Sequence, residues 1–174
     1  MVYDNDNNLN IIKINQTVIL KNFLNIIDLK EVIIKILKTK LINTCSKDYG
    51  YVIDIYNDIE IHDNKISSIN CNIMFDVSVN IKTLKPSLDK EFYGVVSLIT
   101  DKGIFVDIGN IFKVFISLTN LNSNDYEYDT NDLFVNKKLN KIITIGEFIN
   151  IQIKGVKYNQ KSFNCFGVLN DVSL

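Results

Sequence analysis

The stretch FYGVVSLITDKGIFVDIGNIFKVFIS, residues 92–117, decides how this chain is read. Apolar residues recur there in three runs, Phe92 to Ile99, Ile104 to Ile108 and Phe112 to Ile116. Phe105 and Val106 must then point to opposite faces, because successive side chains leave a strand on alternate sides. Asp101-Lys102-Gly103 and Gly109-Asn110 separate the runs and carry residue types that tight turns demand. Three short strands joined by turns therefore open the second half of the molecule.

Toward the C-terminus, Glu147 to Val156 and Ser162 to Leu169 supply two more strands, linked through Tyr158-Asn159-Gln160-Lys161. Asn120 to Lys141 is polar and rich in Asn and Asp, and is expected as an exposed loop. Five short strands with a long connection before the fourth predict an OB-fold β-barrel.

Toward the N-terminus, Pro86 is the only proline, and Lys85-Pro86-Ser87 marks the expected boundary. The predicted division is a flexible segment 1–8, a first domain 9–86 and a barrel domain 87–174. In Asn72 to Thr83, Phe75, Val77, Val79 and Ile81 face one way; Asp76, Ser78, Asn80 and Lys82 face the other. That alternation predicts a long strand with one wet face. His62-Asp63-Asn64-Lys65 reads as a turn, with His62 solvated, and Tyr51 to Ile55 as a short strand before it. Asp28-Leu29-Lys30-Glu31 has the spacing of a capping box. Leu29, Val32, Ile33, Ile36, Leu37 and Leu41 then recur at helical spacing, giving an amphipathic helix from about Leu29 to Ile42. Leu9 to Leu20 is rich in β-branched residues and reads as a strand or a bent pair. The fold class is α+β: a strand–helix–antiparallel sheet module followed by the barrel.

Composition narrows the function. The chain has 174 residues, 47% of them hydrophobic and 22% charged, which is ample for packed cores. All 19 basic residues are Lys, so the bidentate Arg fork is missing and nucleic-acid contact falls to Lys, amides and rings. A net charge of −1 argues against a protein that coats nucleic acid and for a small contact surface on a larger machine. The heavy use of Ile, Asn and Lys is the mark of an AT-rich genome. Cys45, Cys71 and Cys165 are far apart and His62 is the only histidine, so neither a zinc site nor a disulfide framework is expected. An intracellular, reducing compartment follows. The acidic start is unlike a signal peptide, and runs such as Val32 to Leu37 are too short to span a bilayer. Asp54, Asp58, Glu60 and Asp63 lack the glycine of a calcium loop, and no Gly-rich phosphate loop exists. No catalytic constellation, cofactor site or metal site is expected.

The second half resembles the RNA-binding OB domain of the ribosomal S-one type. The residues that carry this are Gly94-Val95-Val96, Lys102 to Gly109, Val114-Phe115-Ile116-Ser117, Leu121 and Gly146-Glu147-Phe148-Ile149. The whole chain adds a helix ending Leu37-Lys38-Thr39-Lys40-Leu41, then Tyr49-Gly50-Tyr51-Val52-Ile53, the long strand, and Leu84-Lys85-Pro86 leading into Phe92-Tyr93-Gly94-Val95-Val96. In this it resembles the stalk subunit of eukaryotic and archaeal RNA polymerases, the family of the seventh subunit of polymerase II and its archaeal counterpart. The resemblance implies a non-catalytic subunit whose first half docks on the polymerase core and whose barrel lies near the RNA exit. It implies as partners the largest polymerase subunits, other core subunits, a fourth-subunit-like chain and nascent single-stranded RNA, with no membrane. It places the chain in a nucleus if cellular; the composition points instead to a large DNA virus, and then to a cytoplasmic factory or virion.

For RNA, the resemblance singles out Phe105 and Phe115 as stacking rings. The competing reading puts either ring in the barrel core, and Phe112, sharing the face of Val114, could replace either. Lys102 and Lys113 accompany the rings, and Lys154, Lys157 and Lys161 flank the last hairpin; binding through them is expected to be weak, sequence-independent and strongly salt-sensitive. Thr44 to Tyr51 is the expected core-docking tip, with Lys47, Tyr49, Gly50 and Tyr51 as its residues; a place inside the sheet is the competing reading for Tyr51. Two other functions stay open: a free-standing RNA-binding or translation-factor-like OB protein, and an assembly scaffold whose barrel no longer binds RNA.

Overall fold

The computed structural model describes residues 8–21, 28–66, 72–129 and 133–170. All but the last residue of the expected flexible segment 1–8 lies outside these, as does Cys71. The chain forms two compact units, one spanning Leu9–Lys85 and the other including Pro86–Leu174.

The first unit contains β1 (Leu9–Leu20), α1 (Leu29–Leu41), β2 (Cys45–Ser46), β3 (Gly50–Ile66) and β4 (Ile73–Leu84). Its sheet runs β1-β4-β3-β2, antiparallel at every pairing. The Asp28 side chain accepts from the Glu31 N–H at 3.1 Å, capping α1 as its sequence requires. Lys38 and Lys40 in the last turn complement the negative end of the helix dipole. Ile33, Leu37 and Leu41 are buried in one core with Val18, Val52, Ile55, Phe75, Val77 and Ile81. Each such side chain contributes roughly 1.5–3 kcal/mol by leaving water.

Of the two readings offered for Leu9 to Leu20, the structure has the single strand, in register with β4 from end to end. The turn and the wet strand face expected in this half need correction. His62 to Lys65 is not a turn: β3 runs through it, and the short strand expected at Tyr51 to Ile55 is only its beginning. The stretch that signalled a turn is absorbed by a register shift between Ile61 and Asp63, and two more shifts, at Val52/Asp54 and Ile55/Ile59, lie upstream on β3. Such bulges admit extra residues without ending the ladder. His62 is exposed, as expected, and its Nε2 also meets the hydroxyl of buried Ser78 at 2.5 Å. The polar side of β4 is correspondingly drier than its sequence suggests, with Ser78 buried and Asp76, Asn80 and Lys82 half-buried.

The second unit contains β5 (Glu91–Thr100), β6 (Gly103–Ile108), β7 (Phe112–Ser117), α2 (Leu118–Ser123), β8 (Tyr126–Asp129), β9 (Leu133–Asn136), β10 (Lys141–Ile143), β11 (Phe148–Asn159) and β12 (Ser162–Leu169). Strands β5, β6, β7, β12 and β11 close on one another in that order as a barrel. Only the β12–β7 pairing is parallel. This is the strand order of an OB barrel. Phe92, Ile104, Val106, Val114, Ile116, Ile151 and Ile153 fill the interior. Gly103 has φ +141°, and a Cβ there would collide with the carbonyl oxygen of Ile116, so the β5–β6 turn needs glycine. The β11–β12 hairpin closes through Gln160 and Lys161, both left-handed at φ 43° and 74°, the geometry of a two-residue type I′ turn.

Asn120 to Lys141 is not an exposed loop. It contributes most of α2 and the strands β8 and β9, the latter two in a three-stranded sheet ordered β10-β9-β8. Leu121, Tyr126 and Phe134 are buried there. The Ser117 hydroxyl caps α2 by accepting from the Asn120 N–H. Buried Asn136 donates to the Asn124 carbonyl and accepts from the Lys138 and Leu139 N–H groups. Asparagines that suggest a loop by composition here finish a fold by hydrogen bonding.

Candidate nucleic-acid interface

Phe112 and Phe115 lie three apart on β7 and therefore leave the strand on opposite faces. Phe112 is buried, its ring edge-on to Phe92 with centroids 5.4 Å apart and planes at 88°. It is a core residue, so the idea that it could replace Phe105 or Phe115 on the outside falls. Phe115 is half-buried on the outer face, directly opposite Phe105 in the β6–β7 register. Their ring centroids are 4.9 Å apart at 43°. A base inserted between two rings needs roughly twice the ~3.4 Å stacking rise, so this pair can only serve as one joint platform.

The platform continues sideways. Leu98 of β5 lies opposite Phe105, and Phe166 of β12 opposite Phe115. Phe166 is 52% exposed and meets Phe115 nearly perpendicularly, centroids 6.4 Å apart at 84°. Leu98, Phe105, Phe115 and Phe166 thus form one apolar row across four barrel strands. Beside it lies a polar row. Lys113 faces Asp107 across β6–β7, and Lys157 faces Asn164 across β11–β12. Phe105, Lys113, Phe115, Phe163, Asn164 and Phe166 line a shallow depression of about 340 Å³. Exposed rings edged by lysine and amide side chains suit single-stranded nucleic acid, since every base offers a π-face.

The other expected RNA residues are distributed less favourably. Lys102 sits in the β5–β6 turn, beyond Gly103 and Ser117, at the end of the strands away from Lys113. Lys154 occupies the register shift between Ile153 and Gly155, and its ammonium pairs with Asp89 at 2.8 Å. Lys113 and Lys157 are left as the exposed cations beside the rings. Phe166 was not among the expected residues, although Phe163 and Phe166 are three apart on one strand and cannot both face a core.

The expected docking residues sit in the β2–β3 hairpin. Lys47 is exposed, and Tyr49 packs half-buried against the core of the first unit. Gly50 is buried at φ +85°, where a Cβ would strike the Leu84 carbonyl oxygen. Tyr51 is half-buried within the sheet, opposite Cys45 and Leu84. The Lys85 ammonium donates to the Asp48 carbonyl at 2.8 Å and ties this hairpin to the end of β4. Burial raises the Cys45 thiol above its ordinary pKa, with a hydrogen bond from Tyr51 opposing the shift. Among the described residues no cluster of three or more His, Cys, Asp or Glu could hold a metal ion. No helix among them is long and apolar enough to cross a membrane.

Residues 85–165 match the S1 RNA binding domain family. The chain is 22% identical over 129 residues to DNA-directed RNA polymerase V subunit 7 of Arabidopsis thaliana, covering 74% of this chain and 72% of that protein. It is 33% identical over 67 residues to ribonuclease R of Ureaplasma parvum, covering 38% of this chain and 9% of that enzyme. Among solved structures, the apo form of Mycoplasma genitalium RNase R aligns with 47% of this chain and 13% of its own at 25% identity, TM-score 0.40.

Proposed function

We propose that this chain is a non-catalytic stalk subunit of a multisubunit DNA-directed RNA polymerase, docking on the core and contacting nascent RNA. The observation that carries this reading is the reach of one similarity. The 129 residues aligned with polymerase V subunit 7 are longer than either compact unit, so that likeness crosses from the first unit into the barrel. The likeness to ribonuclease R is 67 residues long, which an RNA-binding barrel alone would explain.

In this reading the first unit attaches to the largest polymerase subunits through the hairpin Thr44 to Tyr51, with Lys47, Tyr49, Gly50 and Tyr51 at the contact. A fourth-subunit-like chain accompanies it. The barrel holds emerging transcript on Phe105 and Phe115, with Lys113 and Lys157 beside the phosphates and Lys102 and Lys154 further out. The chain resides wherever its polymerase works.

Affinity purification of the tagged full-length chain from its own cells tests the proposal. The two largest polymerase subunits should be recovered with it in comparable amounts. Recovery of the chain by itself, cross-linked to RNA but free of polymerase, would favour a free-standing RNA-binding protein instead, the reading to which the ribonuclease R similarity leans.

A further inference from the structure

Phe166 lies one residue beyond the segment that matches the RNA-binding family, so neither that match nor the expected site accounts for it. Folding does not account for it either. Its neighbours on β12, Cys165 and Gly167, are buried, while its own ring stands 52% exposed on the outer face. On the adjacent strand its register partner is Gly155. A Cβ built on Gly155 would lie 3.5 Å from the Phe166 Cβ and Cδ2, so one side of the ring leans toward bare backbone. Its ring stands nearly perpendicular to that of Phe115, at 84°, whereas Phe105 and Phe115 incline to each other by only 43°. A base stacked on that pair would leave the Phe166 ring unused.

We propose that Phe166 is a separate base-stacking position, so that the barrel grips two nucleotides of a single-stranded RNA: one on the Phe105–Phe115 platform and one on Phe166. This rests on the RNA-contact reading of the same face and extends it. Asn164, exposed on the same strand face and lining the same depression, presents a side-chain amide to the edge of the second base. Lys113 and Lys157 offer two charges to the backbone, and Asp107 opposite Lys113 offsets part of the first. Stacking therefore outweighs phosphate attraction. With two phosphates neutralised on a single strand, the slope of log affinity against log salt should be no steeper than about −1.4. This revises the strong salt dependence expected from the lysine positions in the sequence.

The chain contains no tryptophan, so a single substitution creates a unique optical reporter. Full-length Phe166→Trp and, separately, Phe105→Trp should each lose fluorescence when titrated with a short adenylate RNA. Phe166→Leu, which keeps bulk and loses the ring, should weaken binding about 5- to 150-fold, and Phe166→Tyr should restore it. A response from Phe105→Trp, with a silent Phe166→Trp and wild-type affinity for Phe166→Leu, overturns the second position and leaves RNA contact standing. No binding by the unmodified chain and no change at either reporter overturns both. If Phe166→Leu proves unfolded by circular dichroism, the tryptophan responses decide alone.

Discussion

The outer faces of the two sheets are dressed in opposite ways. On the first sheet, the Ser78 hydroxyl donates to Asn15 Oδ1 at 2.6 Å and meets His62, while Thr17 donates to Asp76 at 2.7 Å. Lys13 and Glu60 pair at 2.6 Å. These polar side chains find partners on neighbouring strands, so the middle of this face closes upon itself, while exposed Ile11 and Ile19 mark its two ends. On the barrel, the corresponding face carries Leu98, Phe105, Phe115 and Phe166, whose carbon surface has no such way of completing itself. Burying a phenylalanine is worth roughly 1.5–3 kcal/mol, a gain that an exposed ring forgoes on folding and can collect on binding. The contrast teaches where to look for function: at the face whose chemistry the fold leaves unfinished.

The comparison breaks most severely if the two sides of β7 prove interchangeable. Phe112→Ala should destabilise the full chain by about 3–5 kcal/mol in urea denaturation, because it removes a packed ring from the barrel. Phe105→Ala and Phe115→Ala should leave the denaturation midpoint near wild type while weakening single-stranded RNA binding by about 1–3 kcal/mol, read by fluorescence anisotropy. Equal loss of stability at Phe112 and Phe115 would erase the distinction between inside and outside. A smaller effect tests the polar face: Ser78→Ala should cost about 1–2 kcal/mol by orphaning the partners of a buried hydroxyl, with RNA affinity unchanged.

The gentlest test concerns acid. Lys13 holds the Glu60 carboxyl below its ordinary pKa, through a hydrogen bond first and Coulomb attraction second. A depressed carboxyl stabilises the fold above its unfolded pKa, and that contribution fades as pH falls through the lower folded value. Both side chains are well exposed, so the contribution to stability is small. In Lys13→Ala the Glu60 carboxyl should titrate higher, back toward its ordinary value, in a carbon NMR pH series. An unmoved titration would mean the pair is not formed in solution.

Periodicity carried most of the fold. The capped helix and the barrel strands were legible because each obeys a local rule: a cap at fixed spacing, alternation of two, or glycine where a turn needs it. What failed were places where composition stood in for pairing. His62 to Lys65 has turn residues, yet β4 supplies partners for Asp63 to Lys65, and the register shift between Ile61 and Asp63 takes in His62. Asn120 to Lys141 looks like a loop until Tyr126 and Phe134 are seen buried and Asn136 hydrogen-bonded. In the candidate site, Phe105 was readable because Val106 beside it belongs to the core. Lys154 could not be judged, since its partner Asp89 is distant in sequence. Phe166 could have been found from its three-residue spacing to Phe163. The same parity would have assigned Phe112 to the interior and Phe115 to the outside.

The tip of the last hairpin acts as a phase lock. With Asn159 facing Ser162 across two left-handed residues, every pair down the ladder is set, as far as Gly155 with Phe166. Slippage by one residue would swing Phe166 into the barrel and turn Cys165 outward. A turn that touches no ligand thereby chooses which side of β12 the world meets.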